Sequence, residues 1–139
     1  MSSYAHERLK RAKAQLESAK RNFAEGDVET ASNRAFLAAE NAAAAAIVKA
    51  GGHVPPVHSR VRSQFEDLCD RGIVSYRFRG ILIESYRLRL RGDYGRRYYK
   101  GARTPELKRE AVQHLIDQVT DLIVTVERTA GRRRSSHLE

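Results

Sequence analysis

Arginine and tyrosine side chains, which together suit phosphate and base recognition, concentrate between Ser75 and Arg103 of this sequence. The stretch has nine basic residues and two acidic ones, Glu84 and Asp93, so it holds seven of the nine net positive charges. Guanidinium groups bind phosphates through paired hydrogen bonds, and tyrosine rings stack on bases. The pattern favours an anionic partner such as RNA or a nucleotide, with a merely solvated arginine surface as the alternative.

A candidate nucleotide- or RNA-binding set follows from this cluster. It consists of Arg34, Arg87, Arg89, Asp93 and Tyr94. Arg34 lies within an alanine-rich segment, and an arginine that turns inward there needs a partner, for which Asp93 is the candidate. A structural Arg34–Asp93 ion pair and a ligand-binding role are both open and are compatible. If the protein cleaved RNA, the catalytic candidates would be Arg87, Arg89, Asp93 and Tyr94.

Metal and cofactor chemistry have little support in the sequence. His53 and His58 are five positions apart, which matches no common zinc pattern, and the chain has one cysteine, Cys69. That cysteine fits the apolar side of a helix and is expected in the core. No glycine-rich phosphate loop is present. We therefore expect no metal and no cofactor, and we place Glu40 either at a helix–helix seam or at an oligomer surface.

Length and composition fit one globular domain. The chain has 139 residues, of which 41% are hydrophobic, and we assign residues 1–131 to a single domain and residues 132–139 to a disordered basic tail. The longest apolar run, Ala42 to Val48, is far too short to span a membrane. With no apolar leader at the N-terminus and a single cysteine, the sequence predicts a cytoplasmic protein without membrane contact.

Apolar residues recur at spacings of three and four, which predicts an all-α protein. The predicted helices cover Tyr4–Ala24, Val28–Ala50, Val57–Arg71, Tyr76–Arg91 and a last segment that begins with Thr104 as N-cap and ends near Gly131. A loop containing Gly92 and Gly95 should precede the last helix. No stretch alternates with period two. Short connections favour an antiparallel up-and-down bundle of four to five helices.

The same spacing predicts the core. The expected core residues are Leu9, Ala12, Leu16, Ala19 and Phe23, then Val57, Val61, Phe65 and Leu68, then Ile81, Leu82 and Tyr86, and finally Val112, Leu115, Ile116, Val119, Leu122, Ile123 and Val126. The alanine run Ala42–Ala46 has high helix propensity and should let neighbouring helices approach closely.

Three motifs resemble the HEPN superfamily, in particular its small stand-alone prokaryotic members. The segment 31–39, Ala-Ser-Asn-Arg-Ala-Phe-Leu-Ala-Ala, resembles the second-helix signature, with Phe36 as the first aromatic residue and Leu37 in place of the second. His58 resembles the histidine that opens the third helix. The segment 89–95, Arg-Leu-Arg-Gly-Asp-Tyr-Gly, resembles the Arg-x-x-small-Asp-Tyr motif. The motifs occur in the family's order, and the resemblance covers roughly residues 5–128.

The resemblance implies a helical bundle that often forms a homodimer and acts beside a small nucleotidyltransferase, as a toxin–antitoxin or nucleotide-sensing pair. Active HEPN ribonucleases carry an arginine followed by a histidine after four to six residues. Here Gly92 stands at that distance from Arg87, and no histidine follows Arg89 within reach. Tyr94 lies near the place where related toxins carry a modified tyrosine. We therefore expect a binding module that acts with a nucleotidyltransferase partner. The alternatives are a metal-independent ribonuclease in which Asp93 or Tyr94 replaces the histidine, and a purely structural interaction module.

Overall fold

The protein is an all-α bundle, as the sequence predicts. The computed structural model describes residues 3–98 and 109–129, and side chains within 4–90 and 109–129. The helices are α1 (Ser3–Ala24), α2 (Val28–Lys49), α3 (His58–Asp70), α4 (Ile81–Tyr98) and α5 (Arg109–Arg128), with a short 3-10 helix at Tyr76–Phe78 between α3 and α4. No strand occurs among the described residues.

Helix α2 forms the centre of the bundle and packs against each of the other four α-helices. Every residue from Ala42 to Ile47 is buried, as are Ala31, Ala35, Ala38 and Ala39. Small side chains on all sides allow the neighbouring helices to pack closely around α2. The alanine run Ala42–Ala46 is therefore buried and lets neighbouring helices approach closely, as its composition predicts.

The connection between α1 and α2 is a tight turn built by two residues. Gly26 has a φ of 88°, a left-handed conformation that glycine adopts without steric cost. The Asp27 carboxylate then accepts a hydrogen bond of 3.1 Å from the Thr30 backbone N–H, which caps α2. Hydrogen bonding from Thr30 also lowers the pKa of the Asp27 carboxyl below its usual value. This turn sets α1 antiparallel to α2.

The fourth helix differs from its prediction at both ends. A 3-10 turn occupies Tyr76–Phe78, and α4 begins only at Ile81 and continues to Tyr98. The predicted loop at Gly92 and Gly95 is therefore wrong, because both glycines lie within the helix. A glycine in a helix costs only about 1 kcal/mol relative to alanine, so a glycine does not by itself end a helix.

Most of the predicted core is buried, with two clear exceptions. Val57 is 49% exposed because it is the N-cap of α3 rather than part of the helix. Tyr86 is 38% exposed, so it lies at the edge of the bundle and not in the core. Phe23 is partly buried against the core.

Two polar groups within the bundle have structural roles. Lys49 is 8% exposed, and its Nζ donates to the backbone carbonyls of Val126 (2.6 Å) and Glu127 (3.2 Å) at the end of α5. Burial lowers the pKa of this ammonium group. Cys69 is 1% exposed, and burial raises the pKa of its thiol to about 11, so the thiol is protonated at neutral pH. The predicted core position of Cys69 is confirmed.

Candidate functional site

The second-helix motif places Phe36 where α2, α3 and α4 meet. Its side chain is 4% exposed, yet its ring contacts two exposed aromatic residues at the edge of the bundle. The ring centroid lies 6.1 Å from that of Tyr86 on α4 and 6.4 Å from that of His58 on α3, both in tilted arrangements. These are normal separations for interacting rings. Phe36 therefore joins three helices into one aromatic surface.

Arg89 of α4 lies over the same phenylalanine. Its guanidinium carbon is 5.1 Å from the Phe36 ring centroid, within cation–π distance. Its Nε donates a hydrogen bond of 3.1 Å to the side-chain oxygen of Asn33. The second-helix and fourth-helix motifs, more than fifty residues apart in sequence, thus meet directly, and two contacts fix the orientation of the guanidinium plane.

A histidine and a carboxylate form a pair beside this surface. The Glu40 Oε2 lies 2.5 Å from the His58 Nδ1, across the seam between α2 and the start of α3. The Glu40 side chain is 17% exposed, whereas that of His58 is 77% exposed. The half-buried Glu40 carboxylate therefore orients the exposed His58 imidazole through Nδ1 and leaves the His58 Nε2 for other contacts. Of the two locations expected for Glu40, the structure shows the helix–helix seam.

A family model describing the HEPN domain matches residues 5–129. The chain belongs to the HEPN family. The match contains all three motifs described above, so the resemblance is confirmed, and it supports a nucleotide- or RNA-related module in general terms. HEPN domains often bind nucleotides or RNA and often dimerise. No curated relative matches the sequence. Among the described residues of this HEPN chain, no helix has the length and apolar character needed to cross a membrane.

The structure brings some predicted site residues of the HEPN motifs together. Arg89 contacts the second-helix motif, and Arg34 is half-buried on α2 in the position after Asn33. Arg87 is exposed on α4. Asp93 and Tyr94 belong to α4. Their side chains are not among those that the structure describes, so the Arg34–Asp93 ion pair stays a prediction.

Two contacts of this HEPN surface are not predicted from the sequence. The helical spacing predicts a core position for Tyr86, whereas its ring lies beside Phe36 at the edge of the bundle. The contact between Glu40 and His58 joins two helices that the spacing within one helix cannot relate. A signal did exist, because an acid at a helix seam needs a partner and the next helix opens with a histidine.

Proposed function

We propose that this HEPN domain is a binding module for RNA or a nucleotide and that His58, Tyr86 and Arg89, which pack around the buried Phe36 ring, form its contact surface, here called the Arg89 surface. The observation that carries the proposal is the double anchoring of the Arg89 guanidinium by the Phe36 ring and by Asn33. A guanidinium held in one plane loses little conformational freedom when it binds a phosphate.

The neighbouring groups suit a single-stranded ligand. Tyr86 and His58 both expose aromatic rings next to Arg89, and stacking of a base on such a ring contributes about 1–3 kcal/mol. Arg87 is exposed on α4, which also carries Arg89, and Arg34 directly follows Asn33 on α2. Together with the net charge of +9, these groups favour a polyanion over an acidic small molecule. In this proposal Asp93 and Tyr94 complete the site.

The partner proposals rest on family membership. We propose that the chain forms a homodimer and acts with a nucleotidyltransferase in a toxin–antitoxin or stress-response pair, in the cytoplasm. The HEPN match supports dimerisation as a common property of such domains.

The proposal is tested by mixing the purified protein with end-labelled single-stranded RNA in EDTA and running native and denaturing gels in parallel. We expect intact, shifted RNA, with a binding constant that falls steeply as salt rises from 50 to 200 mM, since each phosphate contact releases counterions. Unshifted RNA at low salt, together with no change in the NMR signal of the Arg89 side chain when a mononucleotide is added, would reject the Arg89 surface as a binding site and favour the structural interaction module.

Metal-independent RNA cleavage is the second candidate, and the Glu40–His58 pair favours it. No histidine follows Arg87 or Arg89 within four to six residues in the sequence. In the folded protein, however, His58 and Arg89 contact the same Phe36 ring, so His58 can take the role of that histidine. The His58 Nε2 would take the proton of a ribose 2′-hydroxyl, whose oxygen then attacks the adjacent phosphorus. A cyclic 2′,3′-phosphate forms as the bond between phosphorus and the 5′-oxygen breaks, and the 5′-oxygen takes a proton from water and leaves as a hydroxyl. Arg89 would stabilise the charge that develops on the phosphate oxygens.

This candidate predicts cleavage in EDTA that falls at least about 100-fold in His58→Ala, because general acid–base catalysis typically contributes that much. Product analysis should show cyclic phosphate ends. His53→Ala is the matched control, since it removes an exposed histidine five positions earlier in the same loop region. Equal loss in both variants, or cleavage that survives His58→Ala, would eliminate His58 as the proton acceptor and return attention to Asp93 and Tyr94.

A further inference from the structure

A second concave site lies next to the Arg89 surface, on the side of α1. It is a cleft of about 400 Å³ between α1, α2 and the loop before α3. Helix α1 contributes Arg8, Arg11 and Gln15, α2 contributes Asn41, and the loop contributes Pro55 and Pro56. The Glu40–His58 pair also lines the cleft, whereas Arg89 does not. None of the family motifs requires Arg8, Arg11 or Gln15.

An ordered chain of hydrogen bonds runs along the wall of this cleft. The Arg8 Nη1 donates to the Asn41 side-chain oxygen at 2.9 Å, and the Asn41 Nδ2 donates to the Gln15 Oε1 at 2.7 Å. Arg8 is held further by its Nε, which donates to the Tyr4 hydroxyl at 2.9 Å. Asn41 is only 8% exposed, so the link between α1 and α2 passes through a buried amide, while Arg8 and Gln15 are partly exposed at its ends. Buried amides of this kind rigidify the groups they join.

The direction of these bonds determines what the cleft offers a ligand. The side-chain oxygens of Asn41 and Gln15 both accept within the chain. The Gln15 Nε2 hydrogens and the second terminal nitrogen of Arg8 therefore form the donor face of the wall. Arg11 adds a further exposed guanidinium. The side-chain oxygens of the wall already accept hydrogen bonds within the protein, and the groups that remain for a ligand are donors. Such a wall suits an anion.

The rest of the cleft fits an organic group attached to that anion. Leu37, Val54 and the two prolines supply apolar surface opposite the polar wall. A volume of about 400 Å³ lies within the range of small-molecule sites, about 300–1,000 Å³. The Glu40 carboxylate in the cleft is directed to His58, which reduces its repulsion of an incoming anion.

We propose that this cleft binds a phosphate monoester of mononucleotide size, with the phosphate on Arg8, Arg11 and Gln15 and the organic group on the prolines. The inference goes beyond the proposed function, since it assigns a second binding site whose phosphate contacts, Arg8, Arg11 and Gln15, are not part of the Arg89 surface. A free mononucleotide and the 5′-terminal phosphate of an RNA chain share this chemistry. The volume of about 400 Å³ matches one nucleotide rather than a longer chain, which favours the free mononucleotide.

The test is an NMR titration of the full chain with AMP and, in parallel, with adenosine. We expect AMP to shift the side-chain amide signals of Gln15 and adenosine to leave them in place. Arg11→Ala should weaken AMP binding at least about tenfold. Lys10→Ala is the matched control, because it removes an exposed positive charge from the adjacent position of α1 without touching the cleft.

Several results would overturn the inference. These are no Gln15 shift with saturating AMP, equal binding of adenosine, or equal weakening in Lys10→Ala and Arg11→Ala. A Gln15 shift with 5′-phosphorylated RNA but not with AMP would overturn the choice of a free mononucleotide. RNA binding at the Arg89 surface is read separately on native gels with 5′-hydroxyl RNA, so either proposal can fail while the other stands.

Discussion

Replacing Arg89 with alanine is expected to weaken RNA binding by about 10- to 100-fold at fixed salt. A hydrogen bond to a charged group contributes about 1.5–3 kcal/mol, and each 1.4 kcal/mol corresponds to a factor of about ten in affinity. The salt dependence should also become shallower, by about 0.7 in the slope of log K against log salt for a single-stranded ligand. Native gels over a salt series measure both quantities.

Arg77→Ala provides the control for charge alone. Arg77 belongs to the same arginine-rich stretch, but its guanidinium lies 4.2 Å from the Phe78 ring centroid and 3.6 Å from the Asp121 carboxylate. Its removal changes the net charge by the same amount and should reduce affinity only slightly. If Arg77→Ala and Arg89→Ala weaken binding equally, the ligand responds to overall charge and the Arg89 surface is not its site.

Arg89→Lys separates charge from geometry. Lysine keeps the positive charge but has neither the planar fork nor the Nε that donates to Asn33. We therefore expect an affinity between those of the wild type and Arg89→Ala. Circular dichroism should show unchanged helicity in all three variants, because Arg89 is only partly buried. Wild-type affinity in Arg89→Lys would show that the contacts with Phe36 and Asn33 do not matter for binding.

Periodicity predicted the parts of the fold that depend on burial. In α5 all seven expected core residues are buried, and in α1 the apolar stripe is buried at Leu9, Ala12, Leu16 and Ala19. The apolar spacing predicts burial wrongly at positions where a residue lies outside the packed face of its helix. Val57 and Tyr86 continue an apolar spacing but lie at a helix start and at a bundle edge, which only the arrangement of the helices determines.

The candidate site was predictable in its residue types but not in its arrangement. Asn33, Phe36, His58 and Arg89 were all singled out by the motifs, yet their mutual contacts depend on how α2, α3 and α4 pack. The cleft on α1 was not predicted, because its hydrogen-bond chain links Arg8 and Gln15 to Asn41 on a different helix. Sequence spacing specifies faces within one helix and carries no direct information about such pairs.

Ala42→Leu is expected to destabilise the protein by about 3 kcal/mol, the upper end of the usual cost of overpacking a core. Ala42 is fully buried in α2, which packs against the other four helices, so the larger side chain must displace a neighbouring helix. For a domain of this size the midpoint of thermal unfolding should fall by roughly 10 °C. Ala14→Leu is the matched control, since Ala14 is exposed on α1 and leucine and alanine have similar helix propensities.

The same substitution connects the core to both proposed sites. Helix α2 carries Asn33 and Phe36 toward Arg89 on one side and Asn41 toward Arg8 on another. A shift of α2 would lengthen hydrogen bonds of about 3 Å that have little tolerance for displacement. At a temperature where Ala42→Leu is still folded, we therefore expect weaker binding of both RNA and AMP, while Ala14→Leu binds both normally. Normal binding and normal stability in Ala42→Leu would mean that the packing around α2 adjusts freely and does not position either site.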